Sequence, residues 1–399
     1  MIDFKNPILD ENGNPIKIGI LAAHHCVRCI RITTALKSVG YEVFGNANKI
    51  PYGNDKYDNF LVWANEVQFK NNVKLMIDSG VRVLEWQNEP NIQAKWAYEV
   101  IQSMNVQDKV KLISNIHDSD MIRRKVIRKD EIEMFRYSDA IIYVSNPIQE
   151  QLNFLYNIDV PSMVLYNYPT KYMIDNTKID WDKERKGLVY EGGINALGVT
   201  QEILATNNIL KYRDLFPILK LLVEQGNEVH AYAGNPDAYM TGQHLGVVVH
   251  EPTPFDKLLQ EMTEYKYNLL IFNNKEGLED QVNYTTANKM WDALAAGLPS
   301  LTCWCPEMEK YIRKHKIGLV FNDISEISDT THFEHLYSEL IENIKIKRQE
   351  LIMENQIWRS ENLYAKLLDL PIKEVPNSIK LISINDYGEE GTNKLLQNN

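Results

Sequence analysis

The chain has 399 residues, of which 44% are hydrophobic and 24% charged, the profile of an ordinary globular protein of about two domains. No run approaches the ~20 apolar residues that a membrane-spanning helix requires. The net charge of −11 argues against a protein built mainly to hold nucleic acid, although it leaves room for a local basic patch.

The N-terminal stretch MIDFKNPILDENGNP lacks the charged-then-apolar pattern of a secretion signal, so a cytoplasmic protein is expected, at most peripheral to a membrane. Short apolar runs follow in order: IKIGILA (16–22), YEVFG (41–45), VRVLEW (81–86), VKLISNI (110–116), AIIYVS (140–145) and SMVLYN (162–167). The polar stretch TKYMIDNTKIDWDKERK carries no strand and no strong helical pattern, and marks a domain boundary between Tyr168 and Lys186. A second series runs KGLVYEG (186–192), NEVHAYAG (227–234), GVVVHE (246–251), YNLLIFN (267–273), PSLTCW (299–304) and IGLVF (317–321). Helical spacing lies between most of them; LFPILKLLVEQG ends at a glycine stop, and FDKLLQEMTEY follows a proline start. Continuous apolar strands alternating with helices predict parallel sheets covered on both faces.

The expected architecture is α/β, with two doubly wound Rossmann-like domains over residues 1–170 and 186–330. Helices and a tail over 331–399 are expected to pack back toward the first domain. Pro371 should end the helical run, and YGEEGTNKLLQNN should fray. In open α/β sheets ligands bind beyond the carboxyl ends of the strands, so the residues just after each strand are the candidate site.

The most informative stretch is YTTANKMWDALAAGLPSL, Tyr284 to Leu301. It reads as a helix entering from a polar loop and ending at Gly297. Asn288, Lys289 and Asp292 share one helical face by their spacing. A helix start favours an anionic group such as a pyrophosphate, and Lys289 adds a full positive charge. Taken alone, Lys289 and Asp292 also read as a surface ion pair of little energetic weight.

NKMWDALAAGLP resembles the donor-binding helix of GT-B glycosyltransferases, particularly glycosyltransferase family 4 and related enzymes. The resemblance extends from Lys186 to Phe321. It takes in GLVYEGGI, YRDLFPILKLLVEQGNEVHAYAG, VVVHEPTPFDKLLQEM and PEMEKYIRKHKIGLVF. It implies a metal-independent glycosyltransferase moving a hexosyl or pentosyl group from a nucleotide-sugar, expected to be UDP-linked, to a hydroxyl acceptor, with no further cofactor. It also implies that Asp292 holds the ribose hydroxyls and that Lys289 and Asn288 lie near the donor phosphates. Tyr284 and Thr285 would meet sugar or phosphate, and Glu251 and Pro252 the nucleobase. Glu191, Gly192 and Gly193 follow the first strand of the donor domain, and Arg213 adds phosphate charge. The chain departs from the pattern at Tyr284, where many members have a glutamate that contacts the donor sugar.

In the first half, NIHDSD (115–120) follows a strand. His117 and Asp118 are candidate general bases for an acceptor hydroxyl; Asp118 or Ser119 would equally cap the next helix. Asp118 and Asp120 spell a D-x-D, which other sugar transferases use for a metal; fold analogy with the metal-independent GT-B enzymes sets that reading aside. AAHHCVRC places His24, His25 and Arg28 on the acceptor side, and EWQNEPN offers Trp86 and Glu89 for sugar stacking and hydrogen bonding, or a plain strand-to-helix turn. Residues 123–129 are basic and suggest contact with anionic lipid or DNA phosphate, or else a solvated face balanced by Asp130, Glu131 and Glu133. Transfer to modified DNA bases, nucleotide-sugar epimerisation and a catalytically decayed scaffold are the alternative functions. Cys26, Cys29, Cys303 and Cys305 form two pairs; a zinc site is one reading, but C-x-C is an unusual second half and the pairs fall in different domains, so reduced thiols in a reducing cytoplasm are expected.

Overall fold

A computed structural model describes residues 2–23, 26–49, 54–88, 91–195, 211–233, 241–327 and 333–397. The chain forms two compact units, Met1–Thr170 with Ile352–Asn399, and Lys171–Leu351.

In the first unit, after the two-residue strand β1 (Ile2–Asp3), seven strands form one sheet: β2 (Lys17–Ala22), β3 (Val43–Ala47), β4 (Asn59–Val62), β5 (Val81–Gln87), β6 (Lys111–Ile116), β7 (Ala140–Tyr143) and β8 (Ser162–Val164). Their order is β4-β3-β2-β5-β6-β7-β8, and every neighbouring pair is parallel. The helices among them are α1 (Val27–Ser38), α2 (Glu66–Asp78), α3 (Ile92–Met104), α4 (Asp120–Arg124), α5 (Lys129–Tyr137) and α6 (Asn146–Tyr156). The apolar runs become strands because both faces of the sheet are covered: β3 and β7 are buried along their whole length. The edge strand β4 was not anticipated. Its NFLV carries a short apolar run that is only partly buried, and among the described strands it pairs with β3 alone.

The second unit opens with α7 (Lys171–Asn176) and holds six parallel strands: β9 (Lys186–Glu191), β10 (Val229–Tyr232), β11 (Val248–His250), β12 (Tyr265–Ile271), β13 (Ser300–Cys303) and β14 (Gly318–Val320). Its further helices are α8 (Phe216–Glu224), α9 (Phe255–Met262), α10 (Asp280–Tyr284), α11 (Asn288–Ala296), α12 (Pro306–His315) and α13 (Glu334–Glu350). The strand order is β11-β10-β9-β12-β13-β14, the doubly wound order in which the winding reverses between the first and fourth strands. Both units are therefore Rossmann-like, as expected. The core here joins Leu188, Leu219, Leu222, Val229, Leu269 and Leu301, all at most 1% exposed, each contributing ~1.5–3 kcal/mol of burial. Helix α7 lies in the stretch expected to be featureless. It forms because Met173 and Ile174 are buried and the Arg348 guanidinium donates to the Ile174 carbonyl.

The C-terminal segment is divided rather than carried as one piece. α13 stays with the second unit, while α14 (Trp358–Leu367), β15 (Lys373–Glu374) and α15 (Asn377–Asn393) belong to the first. β15 pairs in parallel with β1. Over its described residues the tail does not fray: α15 runs through Asn393 with a kink at Gly388, and Tyr387 stacks on Tyr166 at 5.1 Å between ring centres. The Arg359 guanidinium lies 3.8 Å from the centre of the Tyr387 ring, and Leu395 is buried. Beneath these helices runs a buried polar spine. Lys373 and Glu361, both with fully buried side chains, pair at 2.5 Å, and Tyr364 donates to the buried carboxylate of Glu85.

Candidate functional site

The site in the second unit is built where its winding reverses, at the end of β9. Tyr190 and Glu191 close the strand, and Gly192 follows with φ +134°, in the left-handed range that glycine tolerates. A side chain there would meet the Tyr190 hydroxyl at 3.3 Å and Lys289 Nζ at 3.4 Å; one on Gly193 would meet Arg213 Nη1 at 3.3 Å. The two glycines thus let backbone lie against two cations. The loop is pinned at both ends, with Gly192 N–H donating to the Tyr232 carbonyl (3.1 Å) and Asn195 N–H to the Arg213 carbonyl (3.0 Å).

Lys289 enters from the first turn of α11. That helix starts at Ala287, whose side chain cannot cap it, so its first N–H groups receive no side-chain cap. The Lys289 amine lies between two aromatic faces, 4.0 Å from the centre of Tyr190 and 4.1 Å from that of Phe272, and donates to the Tyr190 hydroxyl at 2.8 Å. The Tyr190 hydroxyl in turn donates to the Gly193 carbonyl at 3.1 Å. Burial pulls the amine down to about 7; Glu191 opposes that shift and Arg213 adds to it. Burial also pushes the neighbouring Cys305 thiol up to about 12. The Arg213 guanidinium lies 5.7 Å from the centre of the Tyr212 ring, which packs edge-on against Phe272.

A cavity of about 500 Å³ opens beside this loop, lined by Glu191, Gly192, Gly193, Arg213, Tyr232 and Pro252, with Thr253 and Leu258 also on its wall. Five of the residues singled out from the sequence therefore share one pocket, with Lys289 behind its glycine floor. Glu251 is exposed on the turn after β11, beside Pro252. Tyr284 and Thr285 lie at the end of α10, half-buried, and Asn288 is exposed at the start of α11. Asp292 is buried one turn further along, at 2% exposure, and Lys289 at 6%, so the two are not a solvated surface pair. Sequence reasoning missed the aromatic frame of Tyr190, Tyr232 and Phe272, although Tyr190 directly precedes the glycines. It also missed Thr286, whose hydroxyl is buried at the helix start with no hydrogen-bond partner among the described residues.

In the first unit, β6 delivers His117 and Asp118. The Asn88 side-chain oxygen accepts from the His117 N–H at 2.9 Å, and the Asn88 amide donates to the Asp118 carbonyl, so one side chain fixes the loop. The Asp118 carboxylate pairs with Arg123 at 3.1 Å. Ser119, rather than Asp118, caps α4 by accepting from Ile122 N–H. Nδ1 of His117 is buried with no hydrogen-bond partner among the described residues, which leaves His117 the less committed of the two candidate bases. Asp120 pairs with Arg124 (3.4 Å) and Arg128 (3.1 Å), so the D-x-D carboxylates both face guanidinium groups.

Two acceptor-side expectations need correction. Arg28 is 2% exposed and braces the fold, donating to Asn115 Oδ1 and the Leu165 carbonyl, each at 2.8 Å; burial lowers its pKa. Trp86 is fully buried, edge-on to Phe69, and has no free face for a sugar. Both corrections share a cause: the residues occupy inward positions of β5 and α1. His24, His25 and Glu89 lie outside the described residues. The basic stretch 123–129 is largely paired internally, since Arg128 also binds Asp130 (3.0 Å) and Lys129 faces Glu133 (3.6 Å). No helix among the described residues is long and apolar enough to cross a membrane.

No protein-family model and no curated protein sequence matches the chain. Solved structures do match. Sucrose-phosphate synthase from Thermosynechococcus elongatus superposes with a TM-score of 0.57 at 11% identity, over 89% of this chain and 99% of that one. AviGT4, a glycosyltransferase involved in avilamycin A biosynthesis, gives 0.54 at 12% identity over 89% and 98%. UGT89C1 from Arabidopsis thaliana gives 0.51 at 9% identity over 88% and 99%. The coverage is nearly complete on both sides while the identity is too low to carry substrates across, so the likeness is one of fold. The chain has the two-domain Rossmann-like fold of the GT-B glycosyltransferases.

Proposed function

We propose that the chain is a glycosyltransferase that binds a nucleotide-sugar in the cavity at the end of β9 and transfers the sugar to a hydroxyl acceptor. The observation that carries this reading is a pocket lined by Arg213 and the Gly192–Gly193 backbone, with the Lys289 amine, from the first turn of α11, directly behind Gly192. That set of groups suits a diphosphate: a guanidinium, an amine and open glycine backbone close together stabilise the charge that develops on a leaving nucleoside diphosphate. These groups supply the charge that a divalent metal supplies in other transferases, so the reading includes metal independence. Tyr232, Pro252 and Leu258 give the pocket an apolar wall for a nucleobase. Asp292 is assigned to the ribose and His117 to deprotonation of the acceptor. A UDP-linked sugar is the first donor to test, and a glycan, glycolipid or small molecule the acceptor class.

The internally paired 123–129 stretch leaves transfer to DNA bases without a free basic track. Titration calorimetry with a panel of nucleoside diphosphates, with and without chelator, tests the reading. One diphosphate should bind independently of chelator and lose most of its affinity in Lys289→Ala. A folded wild-type protein that binds none of them would overturn the donor site. Sugar transfer that stops with chelator and returns with a divalent cation would overturn the metal-independent form.

A further inference from the structure

The first helix of the chain starts inside a C-x-x-C. Cys26 is the N-cap of α1, and the Cys29 N–H donates to the Cys26 carbonyl at 3.0 Å, closing the first turn. That turn brings the two sulfurs to 3.6 Å. The pair is asymmetric: Cys26 is partly exposed, whereas Cys29 is fully buried. Cys303 and Cys305 offer no such asymmetry, since both are fully buried. A partly exposed cysteine at a helix start, its sulfur touching that of a fully buried second cysteine, is the arrangement of a dithiol that exchanges with disulfides.

The surroundings favour the same division of roles. The Cys29 thiol, donating to Cys26, and His117 from the loop after β6 hold Cys26 well below the ordinary thiol range. Burial, Cys26 and Glu85 from β5 push Cys29 well above it. Arg28, one residue before Cys29, also faces the pair. The first turn of α1 carries no acidic residue to oppose a thiolate.

We propose that Cys26 and Cys29 form a redox-active dithiol, with Cys26 the attacking sulfur, Cys29 the resolving one, and a low-molecular-weight disulfide the oxidant. The Cys26 thiolate attacks one sulfur of the external disulfide; that S–S bond breaks, one thiolate leaves, and a mixed disulfide forms on Cys26. The Cys29 thiol then attacks the Cys26 sulfur, the bond to the external group breaks, and the Cys29 proton goes to the departing thiolate. The two cysteine sulfurs lose two electrons, and the external disulfide is reduced to two thiol equivalents.

The test equilibrates the full chain in glutathione buffers of graded oxidised-to-reduced ratio, followed by acid quench, maleimide blocking under denaturing conditions and peptide mass mapping. Cys26 and Cys29 should pass together from doubly blocked to cross-linked, lighter by two hydrogens, with a two-electron dependence on the ratio, while Cys303 and Cys305 stay blocked throughout. Cys29→Ser should instead accumulate glutathione on Cys26. Either of two results in the wild-type chain overturns the proposal: both thiols remaining maleimide-blocked at every ratio, or glutathione persisting on Cys26 beside a free Cys29.

Discussion

If the pocket beside Gly192 takes a nucleoside diphosphate as proposed, the lysine buried between Tyr190 and Phe272 makes that binding depend on pH in a defined direction. In the free protein its midpoint lies at about 7. At pH ~8 about nine-tenths of the free protein therefore carries a neutral amine. A diphosphate in the pocket restores the charge, so each molecule bound above that midpoint takes up close to one proton. The affinity should fall about tenfold for each pH unit above the midpoint, or about fiftyfold from pH ~7 to ~9, and each tenfold is about 1.4 kcal/mol. The ligand does not confuse the result, because the terminal phosphate, with a second pKa near ~6, is already ionised in this window. Titration calorimetry in two buffers of different ionisation enthalpy reads both quantities. A flat affinity across the window together with no proton uptake would refute the argument. A pH slope of the same size in Lys289→Met would show that another group carries it.

The same shift bears on stability. The unfolded lysine titrates near its ordinary 10.5, so between about 7 and that value the unfolded chain holds a proton that the fold does not. This group therefore makes the ligand-free fold more stable as pH rises through that window and costs most below it. Lys289→Met should stabilise the ligand-free protein by ~1–4 kcal/mol below pH ~7, measured by denaturant unfolding, while removing diphosphate affinity. Gly192→Ala forces a side chain into a left-handed backbone against Lys289; it should cost ~1–3 kcal/mol and abolish nucleotide-induced thermal stabilisation while the protein still folds. His117→Ala should lower transfer ~10²–10⁴-fold in a kcat assay with unchanged donor affinity. Lys373→Met, which strands the Glu361 carboxylate in the interior, should lose ~3–5 kcal/mol in denaturant unfolding, and the double change with Glu361→Leu should recover most of it.

What was legible in the sequence follows from periodicity and local chemistry. Parallel strands buried on both faces must be continuous apolar runs, so β2, β5, β6, β9, β12 and β13 stand out, and helices between them lead to two doubly wound sheets. Glycines after β9 and a lysine in the first turn of α11 mark a candidate anion pocket in the sequence because backbone approach and helix polarity are local properties. Only the tertiary structure decided which polar residues line the pocket and which are buried in the fold. Arg28 and Trp86 sit after or within strands like true site residues, yet their side chains are claimed by Asn115, Leu165 and Phe69, distant in sequence. The edge strand β4 is held by one neighbour, and its short FLV run is too brief and too exposed to stand out as a core strand. The polar tail becomes helix because Tyr387 stacks on Tyr166, more than half the chain away, and under Arg359, contacts that no local pattern encodes.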